Sequence, residues 1–314
     1  MEQRKLMQHG ASSLTIALPS KWIKNHSLKK GDTLYTEAEG NKVIFTTAKT
    51  KKLEKTTINI TQLDRTSILL CIQSLYRFGY NEIEILFEKQ TAIHYRRQKQ
   101  ISISSIIHEI VNRCVGAEVI EQTEKRILIK TITKDTEEDF TVILRRVFLL
   151  MNETADTLLN GIKKNDKIAL ATIEEMHDNI NKFVNYCLRL LNKYGYPDVK
   201  KTCLYYHSIA SIDKIIDILK YNARDLLKSN KPFHKESIHI LEQITKSMRL
   251  YYQLFYQFNE LTIHELSKKR DEIKLQIAKH QNHLPYEQLI FLTNMKQILE
   301  IILDLTEFRM GLEY

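Results

Sequence analysis

Two pairs of carboxylates on predicted helices are the residues of this sequence best suited to chemistry. Asp213 and Asp217 form the first pair, and Glu300 and Asp304 form the second. Residues four apart lie on one helix face, where like charges repel by about a few tenths of a kcal/mol. A cation would relieve that repulsion, and carboxylate clusters suit Mg²⁺, Mn²⁺, Fe or Zn²⁺. The spacing therefore favours a metal site at each pair, with solvated or salt-bridged surface carboxylates as the alternative.

Residues on the preceding helices extend both candidate sites. Asp178 and Asn181 lie one predicted helix before the first pair, and Asp271 lies one helix before the second. His177 could join the first site, although a lone histidine on a helix is more often a surface residue. Lys274 would place a cation beside the second site. The sequence contains no recognisable pair of nucleophile and base, so we expect no enzymatic activity, and a metal-dependent hydrolase is the least supported function.

Long helices must position these residues. The chain of 314 residues has only 8 Gly and 4 Pro, and from residue 137 onward apolar residues recur every three or four positions. This periodicity is typical of amphipathic helices, and three prolines mark joints between them. The predicted helices cover about 137–164, 167–194, 198–229, 234–258, 261–281 and 285–312. Six long helices with short connections predict two tandem three-helix bundles, over 136–230 and 231–314.

The N-terminal residues predict a small β module. Leu14, Ile16 and Leu18 alternate on one face of a short strand, and Pro19 ends it. Ser20 is the expected N-cap of a short helix, and two further strands follow. Fewer than 50 residues are too few for an independent core, so we expect dimerisation.

The middle of the chain predicts a small α/β domain over residues 51–135. Strands and helices are expected in the order βαβαββ, with the helices packed on one sheet face. The basic stretch from Arg96 to Lys99 could reach DNA or a partner, although a solvated loop is the commoner explanation. We find no catalytic constellation in this region.

The excess positive charge lies at the front of the chain. Residues 1–55 contain 11 Lys and Arg against 5 Asp and Glu, and residues 56–134 contain 11 against 8. The remaining residues contain 25 of each sign. A basic N-terminal part joined to a neutral helical part indicates contact with a polyanion, or a solubilising surface.

Several classes of protein are disfavoured. The sequence contains neither G-x-G-x-x-G nor G-x-x-x-x-G-K-[ST], so nucleotide-binding loops of those types have no support. Its four cysteines form no C-x-x-C pair, which argues against structural zinc and a disulfide framework. No apolar run approaches the ~20 residues that span a bilayer. We therefore expect a cytoplasmic protein without membrane insertion.

The N-terminal segment contains, in this order, Arg4-Lys5, Gly10 to Leu14, Leu18-Pro19, Trp22 and Leu28 to Asp32. Through these residues, roughly 3–47 of the chain resemble the AbrB/SpoVT (MazE-type) swapped-hairpin domain. The resemblance implies a dimeric DNA-binding module in which two chains interlace their strands, or a module for dimerisation alone. The residues that it implies contact DNA phosphates are Arg4, Lys5, Lys21, Lys24, Lys29 and Lys30.

The helical part resembles the PhoU family, which has two tandem three-helix bundles and a repeated E/D-x-x-x-D signature. The resemblance implies metal clusters on the bundles and negative control of phosphate uptake. The implied metal ligands are Asp178, Asn181, Asp213, Asp217, Asp271, Glu300 and Asp304. The sequence departs from the family where Arg and Gly usually flank the signature, and Lys274 stands in the place of an Asp or Asn.

Together these features resemble archaeal-type phosphate uptake regulators. They imply a multidomain, mainly α protein with a swapped-hairpin module over 1–50, an α/β domain over 51–135 and a pair of three-helix bundles over 136–314. The expected function is dimeric, DNA-binding transcriptional regulation of phosphate uptake, in which the bundles sense metal, phosphate status or a transporter. Expected partners are DNA, a second copy of the chain, and a phosphate ABC transporter ATPase or a sensor protein. The alternative is an accessory protein that docks on such a transporter and down-regulates it without binding DNA.

Overall fold

The computed structural model describes residues 3–10, 12–39, 42–47, 55–133, 139–229 and 231–314. The chain is mainly helical, with a few small sheets. The described residues form two compact units, one up to residue 47 and one from residue 55 onward. The predicted domain boundaries at 50/51 and 135/136, and Asn230 at the predicted joint between bundles, lie outside the described residues.

The first unit consists of two hairpins and a short helix. Strands β1 (Met7–His9) and β2 (Ser13–Thr15) pair antiparallel, as do β3 (Tyr35–Glu39) and β4 (Lys42–Thr46). Helix α1 (Ser20–Asn25) lies between the hairpins in the chain. The strand predicted over residues 13–18 is shorter than expected and ends at Thr15.

Ser20 is not the N-cap of α1, which corrects the expectation from the sequence. The helix begins at Ser20, and the N-cap is Pro19, whose extended backbone has a ψ of 127°. The Pro19 carbonyl accepts a hydrogen bond from the Ile23 N–H at 3.0 Å. No side chain caps this end of the helix. The backbone geometry at proline, rather than a hydroxyl group, therefore starts α1.

Among the residues of the first unit whose side chains the structure describes, none is buried. Its exposed apolar side chains include Leu6, Leu14, Ile16 and Val43, and Leu14 is 65% exposed. Apolar side chains without a core of their own leave a small β module unstable in water. The hairpins of one chain therefore need a further apolar surface to bury these residues.

The second unit begins with an α/β layer. Its four-stranded sheet has the order β5-β6-β10-β9, in which β5 is parallel to β6 and the other pairs are antiparallel. The strands are β5 (Lys55–Asn59), β6 (Glu82–Leu86), β9 (Ala117–Gln122) and β10 (Arg126–Thr131). Helices α2 (Arg65–Phe78) and α3 (Ile103–Val111) share one isoleucine-rich core with the sheet. These four strands and two helices follow one another in the predicted order βαβαββ.

A further hairpin in this layer was not predicted. Strands β7 (Thr91–His94) and β8 (Lys99–Ser102) pair antiparallel, and a 3₁₀ turn over Tyr95–Arg97 joins them. Gln98 closes the turn with a φ of +48°. The strands are too short and too polar for the alternation to reveal them. The basic stretch therefore forms the tip of a hairpin rather than a plain loop.

Six long helices follow, within a few residues of the predicted bounds. They are α4 (Asp139–Lys164), α5 (Lys167–Tyr194), α6 (Thr202–Leu226), α7 (Lys235–Tyr256), α8 (Glu260–His280) and α9 (Tyr286–Glu313). Helices α4 to α6 pack together, as do α7 to α9, and α4 also packs on α7 and α6 on α9. One continuous hydrophobic core therefore runs through all six. Among the described helices, none is long and apolar enough to cross a membrane.

A buried arginine joins α5 to the end of α2. Arg189 is 0% exposed, and its guanidinium donates to the carbonyl oxygens of Tyr76 at 3.0 Å and Tyr80 at 2.8 Å. It also donates to Oδ1 of Asn81 at 2.6 Å. The last carbonyls of a helix have no partner within it, and the planar fork of arginine can satisfy several at once. Arg189 therefore fixes the α/β layer against the long helices.

Replacing this arginine should destabilise the second unit. We expect Arg189→Leu to lower the free energy of unfolding by about 2–4 kcal/mol, because the hydrogen bonds that the buried guanidinium donates to Tyr76, Tyr80 and Asn81 are lost. Urea denaturation followed by circular dichroism measures this change. Arg146→Leu, at an exposed arginine of α4, is the control and should change stability by less than about 0.5 kcal/mol. Equal effects of the two substitutions would contradict the role of Arg189.

Candidate functional site

The structure brings the residues of the first predicted site together. Asp213 and Asp217 lie on α6, and Asp178 and Asn181 lie on α5, which packs against it. The Asn181 side chain donates to Oδ1 of Asp213 at 3.0 Å. Nδ1 of His177 lies 2.8 Å from Oδ1 of Asp178. The packing of α5 on α6 therefore brings these residues together.

Arginines of the α/β layer pair with two of the carboxylates. Arg77 of α2 donates to Oδ2 of Asp213 at 3.0 Å and to Oδ1 of Asn185 at 2.7 Å. Arg113, just after α3, donates to Oδ2 of Asp178 at 3.0 Å. These bonds are only partly exposed to solvent. The carboxylates of the long helices thus serve as anchors for the neighbouring layer.

A lysine and a histidine engage the remaining carboxylate. Lys220 is 7% exposed, and its Nζ donates to Oδ1 of Asp217 at 2.6 Å. Nε2 of His177 lies 3.2 Å from the same oxygen and 2.9 Å from Nζ of Lys220. Burial alone would raise the pKa of Asp217, but the hydrogen bonds with His177 and Lys220 outweigh it and hold that pKa well below its ordinary value. Asp217 is therefore an anion bonded to protein donors.

These residues do not fit the metal site that the sequence predicts. A metal ion needs several carboxylate or imidazole lone pairs directed at one point. Here the carboxylates are directed at Arg77, Arg113 and Lys220. Among the residues that the structure describes, no group of three His, Cys, Asp or Glu side chains is placed to hold a metal ion. Protein cations, rather than Mg²⁺, Mn²⁺, Fe or Zn²⁺, compensate the repulsion in the first pair.

The second carboxylate pair also has protein cations beside it, on a more exposed surface. Lys274 lies 3.4 Å from Glu300, and Arg270 lies 3.9 Å from it. Arg270 also lies 3.0 Å from the carboxylate of Asp271, and Asp304 is exposed. The predicted cation from Lys274 is therefore present beside Glu300. Ion pairs this exposed contribute little to stability.

A cavity of about 310 Å³ lies between the α/β layer and α5 and α6. The carboxylates and amide of the first predicted site line one side of it. Its lining contains seven Arg or Lys side chains and five Asp or Glu side chains. Most of these cations lie in α2, after α3 and at the tip of the β7–β8 hairpin, and the sequence analysis missed their role. The charge excess of residues 56–134 was the one signal that could have indicated them.

The six basic residues predicted to contact DNA are exposed in the first unit. Lys21 and Lys24 lie on α1, and Lys29 and Lys30 lie in the turn that follows it. The carboxylate of Asp32 accepts a hydrogen bond from the backbone N–H of Lys29 at 2.7 Å, which shapes that turn. Arg4 and Lys5 precede β1. Each of the six positions is accessible to a large anionic partner.

Comparison with protein-family models, curated proteins and solved structures finds no match to this chain. Its function is therefore inferred from its own residues and their geometry.

The pairing of the carboxylates with protein cations predicts how the protein responds to metal ions. We expect neither about 1 mM MnCl₂, ZnCl₂, MgCl₂ or ferrous iron nor excess chelator to change the melting temperature, because a tightly bound ion would stabilise the fold by several kcal/mol. Differential scanning fluorimetry of the full chain measures this. The Asp213→Ala/Asp217→Ala variant is the control. If an ion stabilises the wild type but not this variant, the result would contradict our interpretation and support a metal site at Asp213 and Asp217.

Proposed function

We propose that this chain is a dimeric, DNA-binding transcriptional regulator of phosphate uptake. The observation that carries the proposal is the first unit, which combines exposed basic side chains with a complete lack of buried residues among those described. A module of this kind needs a second copy for its core and a polyanion for its charge. Phosphate uptake as the regulated process rests on the resemblance of the helical residues to the PhoU family.

The dimer is supported by the apolar side chains of the first unit. Leu14 of β2, Ile16 just after it, and Val43 and Ile44 of β4 are all exposed in one chain. A second copy of the same hairpins offers a matching apolar surface, and interlaced strands would also pair free strand edges. We infer a swapped-hairpin arrangement for residues 1–50 on this basis.

DNA binding is supported by the placement of the basic side chains. Lys21 and Lys24 are three residues apart on α1, and Lys29 and Lys30 extend the positive charge into the next turn. Lysine and arginine contacts to phosphate oxygens position a protein on DNA without reading its sequence. A dimer would present two copies of this basic surface.

We further infer that the second unit comprises an α/β domain over 51–135 and two three-helix bundles over 136–230 and 231–314. The packing of α4 to α6 and of α7 to α9 supports the bundles. The separate isoleucine-rich core of the sheet supports the α/β domain. In this proposal the second unit receives the signal and the first unit binds DNA.

DNA binding should depend steeply on salt. We expect the wild type to bind a duplex from its own upstream region, and Lys29→Gln/Lys30→Gln to reduce the slope of log affinity against log salt by about 3–4, since a dimer loses about four phosphate contacts. Fluorescence anisotropy at several salt concentrations measures both slopes.

The matched control is Lys268→Gln/Lys269→Gln, two adjacent lysines on α8, which should leave the slope unchanged. Absence of salt-sensitive binding in the wild type would overturn DNA binding. Capture of a phosphate ABC transporter ATPase in that case would favour the accessory protein instead.

Dimerisation should depend on the apolar face of the first hairpin. We expect the wild type to be a dimer at micromolar concentration, and Leu14→Asp/Ile16→Asp to weaken the dimer about 100-fold or more, because burial of an unpaired carboxylate is costly. Analytical ultracentrifugation measures the dissociation constant. Val142→Asp, at an exposed valine of α4, is the control. A monomeric wild type, or a dimer that tolerates both aspartates, would contradict the swapped hairpin.

A further inference from the structure

The charges that line the cavity between the α/β layer and α5 and α6 do not cancel. Its five acidic side chains all form ion pairs with arginine or lysine side chains of the same cavity. Arg96 and Arg97, at the hairpin tip, also line it, and neither forms an ion pair within the described part of the chain. With neutral histidines, seven cations against five anions leave a formal charge of +2. The cavity can therefore accept a dianion without any loss of its internal pairs.

Unpartnered nitrogen atoms concentrate at this cavity. Five buried side-chain atoms lack a hydrogen-bond partner among the described residues, and three of them belong to cavity residues. These three are Nε of Arg65, Nη1 of Arg224 and Nδ1 of His94. His94 is only 5% exposed. The two arginine nitrogens are donors, and a buried donor without an acceptor costs about 1–3 kcal/mol. Nδ1 of His94 is a third donor when the ring carries its proton there. Their gathering around one cavity indicates that a ligand supplies the acceptors.

The cations of this cavity lie close to one another despite their repulsion. Burial, and next the charge of Arg224, lower the pKa of Arg96. Burial, followed by the charges of Arg65, Arg96 and Arg97, lowers the pKa of His94. Like charges are held together at a cost that a bound anion would offset. Arg224 and Arg65 are paired with Glu174 and Glu109, so the cations of this group left without an ion pair among the described residues are Arg96 and Arg97 at the hairpin tip.

The shape and composition of the cavity select the class of anion. Arginine forks match the oxygen geometry of a phosphoryl group and bind it in a bidentate way. A volume of about 310 Å³ lies at the lower end of the range of pockets that bind small organic ligands, roughly 300–1,000 Å³, and it exceeds the needs of one tetrahedral anion. Tyr221 and Leu70, both substantially exposed, add aromatic and apolar surface to the lining. The space beyond the arginines suits the organic part of a small phosphorylated molecule.

We propose that this cavity binds a small anion that carries a phosphoryl group, held by Arg96 and Arg97 of the hairpin tip together with Arg65, His94 and Arg224. The same chemistry has two sources, inorganic phosphate and a phosphorylated organic molecule, and the volume favours the second. The cavity lies within the second unit, so binding requires neither DNA nor dimerisation. The proposal thus goes beyond the function proposed above and can fail or succeed independently of it.

Isothermal titration calorimetry on the full chain tests the site with inorganic phosphate, pyrophosphate and ATP as probes, and with sulfate as a control anion. We expect at least one phosphoryl probe to bind with a dissociation constant of about 100 µM or tighter. Tighter binding of ATP than of inorganic phosphate identifies an organic phosphate as the ligand class. Binding of inorganic phosphate at least as tight as that of ATP identifies the inorganic ion. No binding by any of the three, or equally tight binding of sulfate, would overturn the proposal.

Paired variants connect binding to the cavity. Arg96→Ala/Arg97→Ala changes two exposed side chains at the hairpin tip and should weaken the phosphoryl probe about tenfold or more, through loss of charge-assisted hydrogen bonds. Arg145→Ala/Arg146→Ala, two adjacent exposed arginines on α4 outside the cavity, should bind as the wild type does. Circular dichroism confirms that both variants fold. Equal affinities of the two variants would refute the assignment.

Discussion

The contact between α2 and α5 is the interaction on which the second unit depends. Arg189 donates to the carbonyl oxygen of Tyr76 in the last turn of α2 and to that of Tyr80 just after the helix. Asn185, one turn before Arg189 on α5, accepts a hydrogen bond from Arg77. Asn181, two turns before Arg189, accepts one from Gln73 at 2.9 Å. The polar groups on this face of α5 therefore find partners in the α/β layer. A buried polar contact with its partners in place specifies one arrangement of two elements, because any shift would leave groups unpaired.

This contact changes the chemistry of the paired carboxylates. On α5 and α6 alone, Asp178, Asp213 and Asp217 would form an acidic face that attracts a cation from solution. The α/β layer brings arginines to that face, and Lys220 completes the pairing from α6 itself. These carboxylates are then neutralised by ion pairs within the protein. The remaining positive charge lies at the hairpin tip and reverses the sign of the ion that the cavity attracts.

The first unit follows a different constraint, the need for apolar area. Its strands are short, and its described residues include none that is buried. Folding costs about 1–2 kcal/mol of backbone entropy per residue, which only burial of apolar surface can offset. A module this small obtains that area from another copy more readily than from its own chain. Assembly and polyanion binding are therefore proposed for the same segment.

Local patterns determined most of the secondary structure. The bounds of α4 to α9 follow from apolar periodicity and from three prolines, because both act within one or two helical turns. The same spacing indicates that Asp178 and Asn181 share one face of α5, which the structure packs against α6. The β7–β8 hairpin escaped prediction because its strands are short and polar. The N-cap of α1 escaped prediction because Pro19 takes that position with no side-chain cap.

Only the tertiary structure decided what the carboxylates do. Arg77 and Asp213 are 136 residues apart, and Arg113 and Asp178 are 65 apart. No local pattern relates residues at such distances, since their contact requires the α/β layer to pack on α5. The sequence by itself determined which side chains share a helix face and where the charge excess lies. The packing of two layers determined that the charges pair within the protein and that unpartnered arginine and histidine nitrogens line the cavity.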